Sequence, residues 1–399
     1  MIVLLLALAE DRFRSSRPHY LHPLLGRPLL AHALHAATAA AGEAPLYLLT
    51  DPVRRGALKN LVEAAFVPGE MPPPEGAVLI VRGELPLLRG ETLRRLLDAF
   101  RAQPDGAWLL AAPEAAAPLA LVAGAGHLRI PSVPTADLRR WLAPATRHRV
   151  LPADREEGLS VNDRIALADA LAVLRRRINR RWMAAGVTIL DPQSTTIEVE
   201  VRLGRDTVIH PNTHLYGHTT IGEGCRIGPN TLIRDCRIGD RCRVVASVLE
   251  EAVMEEESDI GPFGHLRRGA RLCRGAHMGN FGEMKNSTLG PGAKMGHFSY
   301  LGDAEVGAGV NIGAGTITCN YDGRRKHPTI IEERAFIGSD TLLVAPVRVG
   351  AGAKTGAGSV VTRDIPPGVL AYGVPARVRR PLDEEADEEP RGEKGEGER

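Results

Sequence analysis

Apolar positions along the chain change period twice, and each change marks a different kind of structure. Up to about Pro152, short apolar runs alternate with amphipathic stretches. Ile2–Leu6, Leu46–Leu49 and Ala77–Val81 are too short for helices, and turn-forming residues flank them, so they predict buried strands. Leu29–Ala40 and Glu91–Phe100 have helical spacing and predict helices between those strands. That order predicts an α/β sheet with parallel crossovers. "GEMPPPEG" reads as a loop, and Pro and Gly break "PEAAAPLALVAGAG" too often for an assignment.

A longer helical period follows. Leu167, Leu171, Leu174, Ile178 and Trp182 recur at three- and four-residue steps, with Arg175–Arg177 and Arg180–Arg181 between them. Ser160 and Asp163 have the spacing of a capping box, and Gly186 stops the helix. This stretch, 161–186, reads as a linker arm behind a front domain spanning 1–160.

From about residue 200 the period becomes six. "IGEGCR", "IGPNTL" and "IGDRCR" are followed by "LGPGAK", "IGAGTI", "IGSDTL", "VGAGAK" and "TGAGSV". An aliphatic residue recurs every sixth position, usually with Gly behind it. Hexapeptides of this kind wind into a parallel β-helix, with the aliphatic side chain inside each flat face and Gly or Asn at the corners. The repeat covers 187–380. "GNFGEMKNST" and "TCNYDGRRKHPTI" read as two interruptions of it, and loops on a rigid scaffold commonly carry function. The end, "DEEADEEPRGEKGEGER", has nothing apolar to bury, so 381–399 reads as a disordered acidic tail.

Composition narrows the function classes. The chain has 399 residues, 44% hydrophobic and 25% charged, which predicts a folded protein of more than one domain. A net charge of +2 and 4% aromatic residues argue against nucleic acid as a partner. No stretch approaches the roughly 20 apolar residues of a membrane span, and the apolar start lacks a basic leader, so no integral membrane contact is expected. Five cysteines at 225, 236, 242, 273 and 319 have no paired metal spacing and fit small buried side chains in a reducing cytoplasm.

The second half carries longer motifs. "IGPFGHLRRGA", "GAHMGNFGEMKNSTLG", "GHFSYLGDAEVGAGVNIGAGTITCNYDGRRKHPT" and "IGSDTLLVAPVRVGAGA" resemble the acetyltransferase half of the bifunctional N-acetylglucosamine-1-phosphate uridyltransferase / glucosamine-1-phosphate acetyltransferase family. The match is dense over 260–362 and looser over 187–260. The resemblance implies a left-handed parallel β-helix and a homotrimer with active sites between subunits. It implies acetyl-CoA as donor and an amino sugar phosphate as acceptor. Such a reaction needs a base for the ammonium, cations for the phosphate and donors for the developing oxyanion. His297 in "GHFSY" matches the base. Arg267, Lys285 and Lys326 match the phosphate ligands, and Tyr300 and Asn311 match positions that hold the sugar. Ala314, Asn320, Tyr321, Ser339 and Ala357 match the acetyl-CoA positions. Near the end, the family's cofactor-contacting arginine falls at Gly373 or a gap in "LAYGVPARVRRP", with Arg377 and Arg379 as substitutes.

The same resemblance makes the front domain nucleotidyltransferase-like, with a Rossmann-like α/β fold, and exposes its losses. The family opens with L-A-A-G-x-G-T-R-M and then P-K, where glycines let backbone amides approach a triphosphate. Here Ala9, Glu10 and Asp11 stand where the glycines belong, and His19 replaces the lysine after Pro18. Arg12 or Arg14 fills the arginine slot, while "LHPLLGRPLL" keeps the packing signature. The Q-x-G-T-x-H-A, G-Y-G-R-I and E-K elements have no counterpart. Glu84 replaces a metal-binding aspartate, and Asn162 matches the second metal ligand or caps the following helix. Glu84 and Asn162 are thus the only candidates for Mg²⁺, needed only with an active front domain. The leading expectation is acetyl transfer to glucosamine 1-phosphate, feeding UDP-N-acetylglucosamine synthesis for cell envelopes. A bifunctional enzyme that keeps uridylyl transfer, and a non-catalytic sugar-nucleotide-binding scaffold, stay open beside it.

Overall fold

A computed structural model of the protein describes residues 1–8, 11–58, 61, 65–66, 75–129, 131 and 135–382. Glu10 and the acidic tail from 383 onward lie outside the described residues, as does most of "GEMPPPEG". The chain forms two compact units, Met1–Arg177 and Ile178–Arg399.

In the first unit, β1 (Ile2–Ala7) leads into a small hairpin, β2 (Pro23–Leu24) and β3 (Arg27–Pro28), and helix α1 (Leu29–Ala41). Then come β4 (Leu46–Thr50), α2 (Pro52–Leu58), β5 (Ala65–Phe66), β6 (Ala77–Arg82) and α3 (Gly90–Ala102). Strands β7 (Ala107–Ala111), β8 (Ala120–Gly124) and β9 (His148–Pro152) complete a seven-stranded sheet in the order β5-β4-β1-β6-β8-β7-β9. β1 is apolar throughout because both its faces are covered. Val3, Leu5 and Ala7 join one core with α1 and α3, and Leu4 and Leu6 join a second with Leu138 and Trp141. The expected parallel order holds among β5, β4, β1 and β6, but β8 runs antiparallel to both β6 and β7. β8 is "ALVAG", inside the segment whose Pro and Gly content hid it. Its small residues suit a position buried between two strands.

Helix α4 spans Arg164–Ala184. The capping-box reading of Ser160 needs correction. Asp163 is itself the cap, and its carboxylate accepts the Ala166 amide at 2.8 Å. Ser160 instead receives a hydrogen bond from Arg82. The expected stripe of α4 holds at Leu167, Leu174, Ile178 and Trp182, but Leu171 is 37% exposed and Ala170 is buried beside it. Gly186, at φ +94°, ends the helix in the left-handed region that glycine tolerates.

The second unit is a parallel β-helix of three sheets with 12, 10 and 9 strands. Its strands are mostly two residues long. They hold because each inward residue stacks on its counterpart one coil away. One interior column runs Ile189, Ile209, Ile227, Val244, Ile260, Met278, Met295, Ile312 and Ile337. "GNFGEMKNST" is not an interruption. Met278, Met284 and Leu289 occupy successive core positions there, and Gly282–Lys285 pairs in register with Ser299–Gly302. Met284 is not followed by Gly, and the next core position, Leu289, comes five residues later rather than six, which gave the stretch its irregular look. The second interruption is real: Asn311 pairs with Phe336, and the extra residues form a loop after Cys319. The last strands, Val369–Gly373 and Ala376–Pro381, close the solenoid as an antiparallel hairpin.

Close coil stacking explains one group of glycines. A Cβ at Gly290 would lie 2.5 Å from the Val306 carbonyl oxygen and the Gly307 carbonyl carbon. Gly290→Val is therefore expected to destabilise this unit by about 1–3 kcal/mol. A lower urea midpoint for the β-helix transition, with the first unit unchanged, is the measurement that checks it.

Candidate functional site

The solenoid's regular stacking converts distant sequence positions into neighbours. Met295, Ile312, Ile337 and Thr355 lie on consecutive coils in one register. Two residues beyond each stand His297, Ala314, Ser339 and Ala357, at one corner of the solenoid. Coils repeat at about 4.8 Å, so this column extends about 15 Å from the imidazole. Only small side chains follow His297 along it, which leaves the backbone open to close approach. His297, Ser339 and Ala357 are exposed, and Ala314 is half-buried.

The corner that carries His297 is shaped differently from its neighbours. At the next residue along, Asn212, Asn230, Phe263, Phe281, Gly315, Asp340 and Gly358 all have positive φ, and Phe298 does not. Phe298 is nevertheless 56% exposed, continuing an outward ladder in which Phe263 and Phe281 stack at 5.2 Å.

The adjoining sheet face carries the cations. Register places Arg267, Lys285 and Gly302 on successive coils, and brings Glu283 beside Tyr300. Lys326 reaches this face from the loop. The Lys326 ammonium, with Arg267 behind it, pushes the Lys285 pKa below its ordinary value. Three like charges held together in this way concentrate positive charge on this face. Arg267 also donates to Glu283 at 2.8 Å, which fixes its guanidinium. Beside the cluster opens a cavity of about 360 Å³ lined by Asn286, Asp303, Glu305, Lys326 and His327 among others.

The loop is tied before any ligand arrives. Asp322 accepts the amides of Arg325 and Arg324 at 2.6 and 2.7 Å and the His327 ring at 2.7 Å. Those bonds, the Arg325 amide first, hold its carboxyl down at about 2. Tyr321 and Lys326 bridge across the loop, and the Tyr321 hydroxyl donates to the Gly323 carbonyl. Asn320 is buried and donates to Asp303, which also receives Asn286, each at 2.6 Å. Tyr300 and Asn320 converge on Gly302, where any side chain would collide with both.

Asn311 is the exception. It lies on the other sheet that meets the His297 corner, between Lys294 and Phe336. Within one chain it does not share a face with Tyr300. Glu283, Asp303 and Asp322 were not anticipated from sequence. A signal existed for Glu283, because strand alternation puts residues 283 and 285 on one side. Asp322 also had a local signal, since an Asp before "GRR" can turn back on the amides that follow it, whereas Asp303 acts through bonds to Asn286 and Asn320, each 17 residues away.

In the first unit Glu84, one of the two expected metal residues, is already engaged by another side chain. Glu84 is fully buried, and its carboxylate pairs with Arg82 at 2.6 Å. Asn162 is not the cap of α4, and its backbone carbonyl receives the Arg12 amide at 2.9 Å. Asp11 turns back on its own loop. Partial burial opposes ionisation, but bonds from the Phe13 and His19 amides outweigh it and hold the carboxyl below its ordinary range. His19 is buried, so it offers no cation at the surface where the lysine would stand.

Comparison with known proteins joins these features. Two hexapeptide families match, "Bacterial transferase hexapeptide (six repeats)" over 200–235 and "Hexapeptide repeat of succinyl-transferase" over 328–363. The bifunctional protein GlmU of Synechococcus elongatus is 39% identical over 355 residues, covering 78% of this chain and 77% of that one. Its counterpart in Pelobacter propionicus is 38% identical and covers 95% of this chain and 96% of that protein. The chain belongs to the bifunctional GlmU family. A solved CMP:2-keto-3-deoxy-manno-octonic acid synthetase with CTP aligns at 14% identity and a TM-score of 0.34, over 44% of this chain and 98% of that one. Membership of the GlmU family agrees with the six-residue repeat and with the α/β unit in front of it.

Removing one cation should release another. In Lys326→Met, the Lys285 pKa is expected to rise toward its ordinary value, read from the ¹³C shift of reductively methylated lysine against pH.

Proposed function

We propose that residues 187–380 transfer an acetyl group from acetyl-CoA to the amine of glucosamine 1-phosphate. The product, N-acetylglucosamine 1-phosphate, supplies UDP-N-acetylglucosamine for cell envelopes. In this reading residues 1–160 form a support without uridylyl transfer, and 161–186 link the two. The observation that carries the proposal is the column from His297 through Ala314, Ser339 and Ala357, beside the Arg267, Lys285 and Lys326 cluster. The one feature offers a base next to a slot for a narrow arm, and the other a place for a phosphate.

In this mechanism His297 takes a proton from the sugar ammonium, with an imidazole nitrogen as the acceptor. The freed nitrogen attacks the thioester carbonyl, and the negative charge moves to oxygen. Collapse re-forms the carbonyl and breaks the C–S bond, so CoA leaves as its thiol once a proton reaches the sulfur. Arg267, Lys285 and Lys326 bind the phosphate, with the arginine able to bond in two places. Tyr300 and Asn311 hold the sugar. Asn320, Tyr321 and Ser339 orient the acetyl-CoA, while Ala314 and Ala357 let its pantetheine arm lie against the backbone.

The reading includes a homotrimer. Asn311 and Tyr300 lie on different faces of one solenoid, so a neighbouring copy brings the required faces together. It also places the enzyme in the cytoplasm, where acetyl-CoA and five free thiols coexist. No helix among the described residues is long and apolar enough to cross a membrane.

Arg379 is our choice for the cofactor's phosphate end. Gly373 follows Ala357 in the same column, and Arg379 Nη2 stands 3.4 Å from where a Cβ at Gly373 would be. The Arg379 guanidinium stacks over Tyr372 at 4.8 Å, whereas Arg377 bonds to the Ala376 carbonyl.

Two experiments test the proposal, both by thiol release from acetyl-CoA. His297→Ala should lower turnover by about 10²–10⁴-fold with the assembly intact by light scattering, and undiminished turnover sinks the assignment. Arg379→Ala should raise KM for acetyl-CoA about tenfold, the loss of one charged hydrogen bond, while leaving KM for the sugar phosphate alone. Acetyl-pantetheine, which lacks the nucleotide phosphates, should not distinguish that variant from the parent.

A further inference from the structure

We infer that the metal position expected in the front domain has become a permanent internal ion pair, with the Arg82 guanidinium standing in place of a divalent cation. Glu84 is fully buried and Arg82 is 7% exposed. Arg82 Nε and Nη2 reach the same carboxylate oxygen, Glu84 Oε1, at 2.7 and 2.6 Å. Nη1 donates to the Ala117 carbonyl at 3.2 Å and the Pro118 carbonyl at 3.5 Å, and Nη2 donates to Ser160 Oγ at 3.4 Å. The guanidinium is thus bound along all its edges by acceptors of its own domain.

A nucleotide-bound Mg²⁺ does not fit these residues. Such an ion requires near-octahedral oxygen ligands, with one or two carboxylates supplementing phosphate and water. Oε1 is taken by Arg82. Oε2 is buried without a hydrogen-bond partner among the described residues, so one carboxylate oxygen is left. A divalent ion there would sit against a fixed guanidinium in a medium of low dielectric, where like charges repel strongly. The amides of Phe13 and His19 already engage the Asp11 carboxylate.

The cause is a single sequence feature. Arg82 ends β6, "AVLIVR", and the turn that follows at Gly83 and Glu84 brings the carboxylate back to the guanidinium. The ion pair ties the end of the central strand to the 117–118 segment and to Ser160. Its role is to hold those segments together.

Manganese is a suitable probe on the full-length protein, with bound Mn²⁺ read by electron paramagnetic resonance and stability by thermal unfolding. The parent should unfold at the same temperature with and without Mn²⁺. Any Mn²⁺ bound elsewhere should persist unchanged in Glu84→Gln. That variant leaves Arg82 buried without its counter-charge and should unfold roughly 5–10 °C lower, equally in both conditions. If Glu84→Gln does not fold, the double variant Arg82→Met/Glu84→Met, an apolar replacement of the whole pair, serves instead. It should fold and bind as much Mn²⁺ as the parent. Mn²⁺ that is bound by the parent and lost from either variant overturns the inference. Neither readout depends on acetyl transfer, so failure here leaves the proposal for the solenoid standing.

Discussion

Inside the solenoid, each inward side chain rests on the equivalent side chain of the next coil, and this in-register contact fixes everything outside it. A two-residue strand has no stability of its own. It persists because burying one aliphatic side chain contributes about 1.5–3 kcal/mol, and because neighbouring coils bury each other's faces. Once Met295, Ile312 and Ile337 are stacked, the residues two steps further on have no freedom to drift apart. The spacing of His297, Ala314 and Ser339 follows from the interior. Extra residues cannot enter the stack, so the segment after Cys319 bulges outward and carries Lys326 with it.

The two units treat charge in opposite ways. On the solenoid, Arg267, Lys285 and Lys326 are gathered where solvent reaches them, and their mutual repulsion lowers the Lys285 pKa. That repulsion is a cost in the empty protein which a bound dianion relieves. In the front domain, Arg82 and Glu84 are buried and paired through Glu84 Oε1. Arg267 is also paired, with Glu283, but that pair stays open to solvent, whereas the Arg82–Glu84 pair is closed off by burial. The same residue types therefore support ligand binding in one place and internal cohesion in the other.

Much of the fold was legible because its signals are local and repeated. The period of six needed no knowledge of which coils touch, and the central strands of the front sheet announced themselves as short apolar runs. Errors arose where a segment's role depends on partners distant in sequence. "ALVAG" became a strand through β6 and β7 on either side of it. "GNFGEMKNST" joined the regular stack because methionine fills an aliphatic core position. Ser160 lost its capping role because Arg82 reaches it and Asp163 caps the helix instead.

The sequence alone determined the solenoid, the order of the two units and the identity of the candidate base and phosphate ligands. A six-residue repeat and long motifs are properties of consecutive residues and survive without coordinates. Tertiary structure decided which of those residues meet. It aligned His297 with the small residues of later coils, put Asn311 on a separate face and chose Arg379 over Arg377 beside Gly373. It also joined Arg82 to Glu84 and so closed the front domain's metal position. The physical reason is range: side-chain pairing is set by register and burial across coils and strands, and neither is written in the spacing of neighbours.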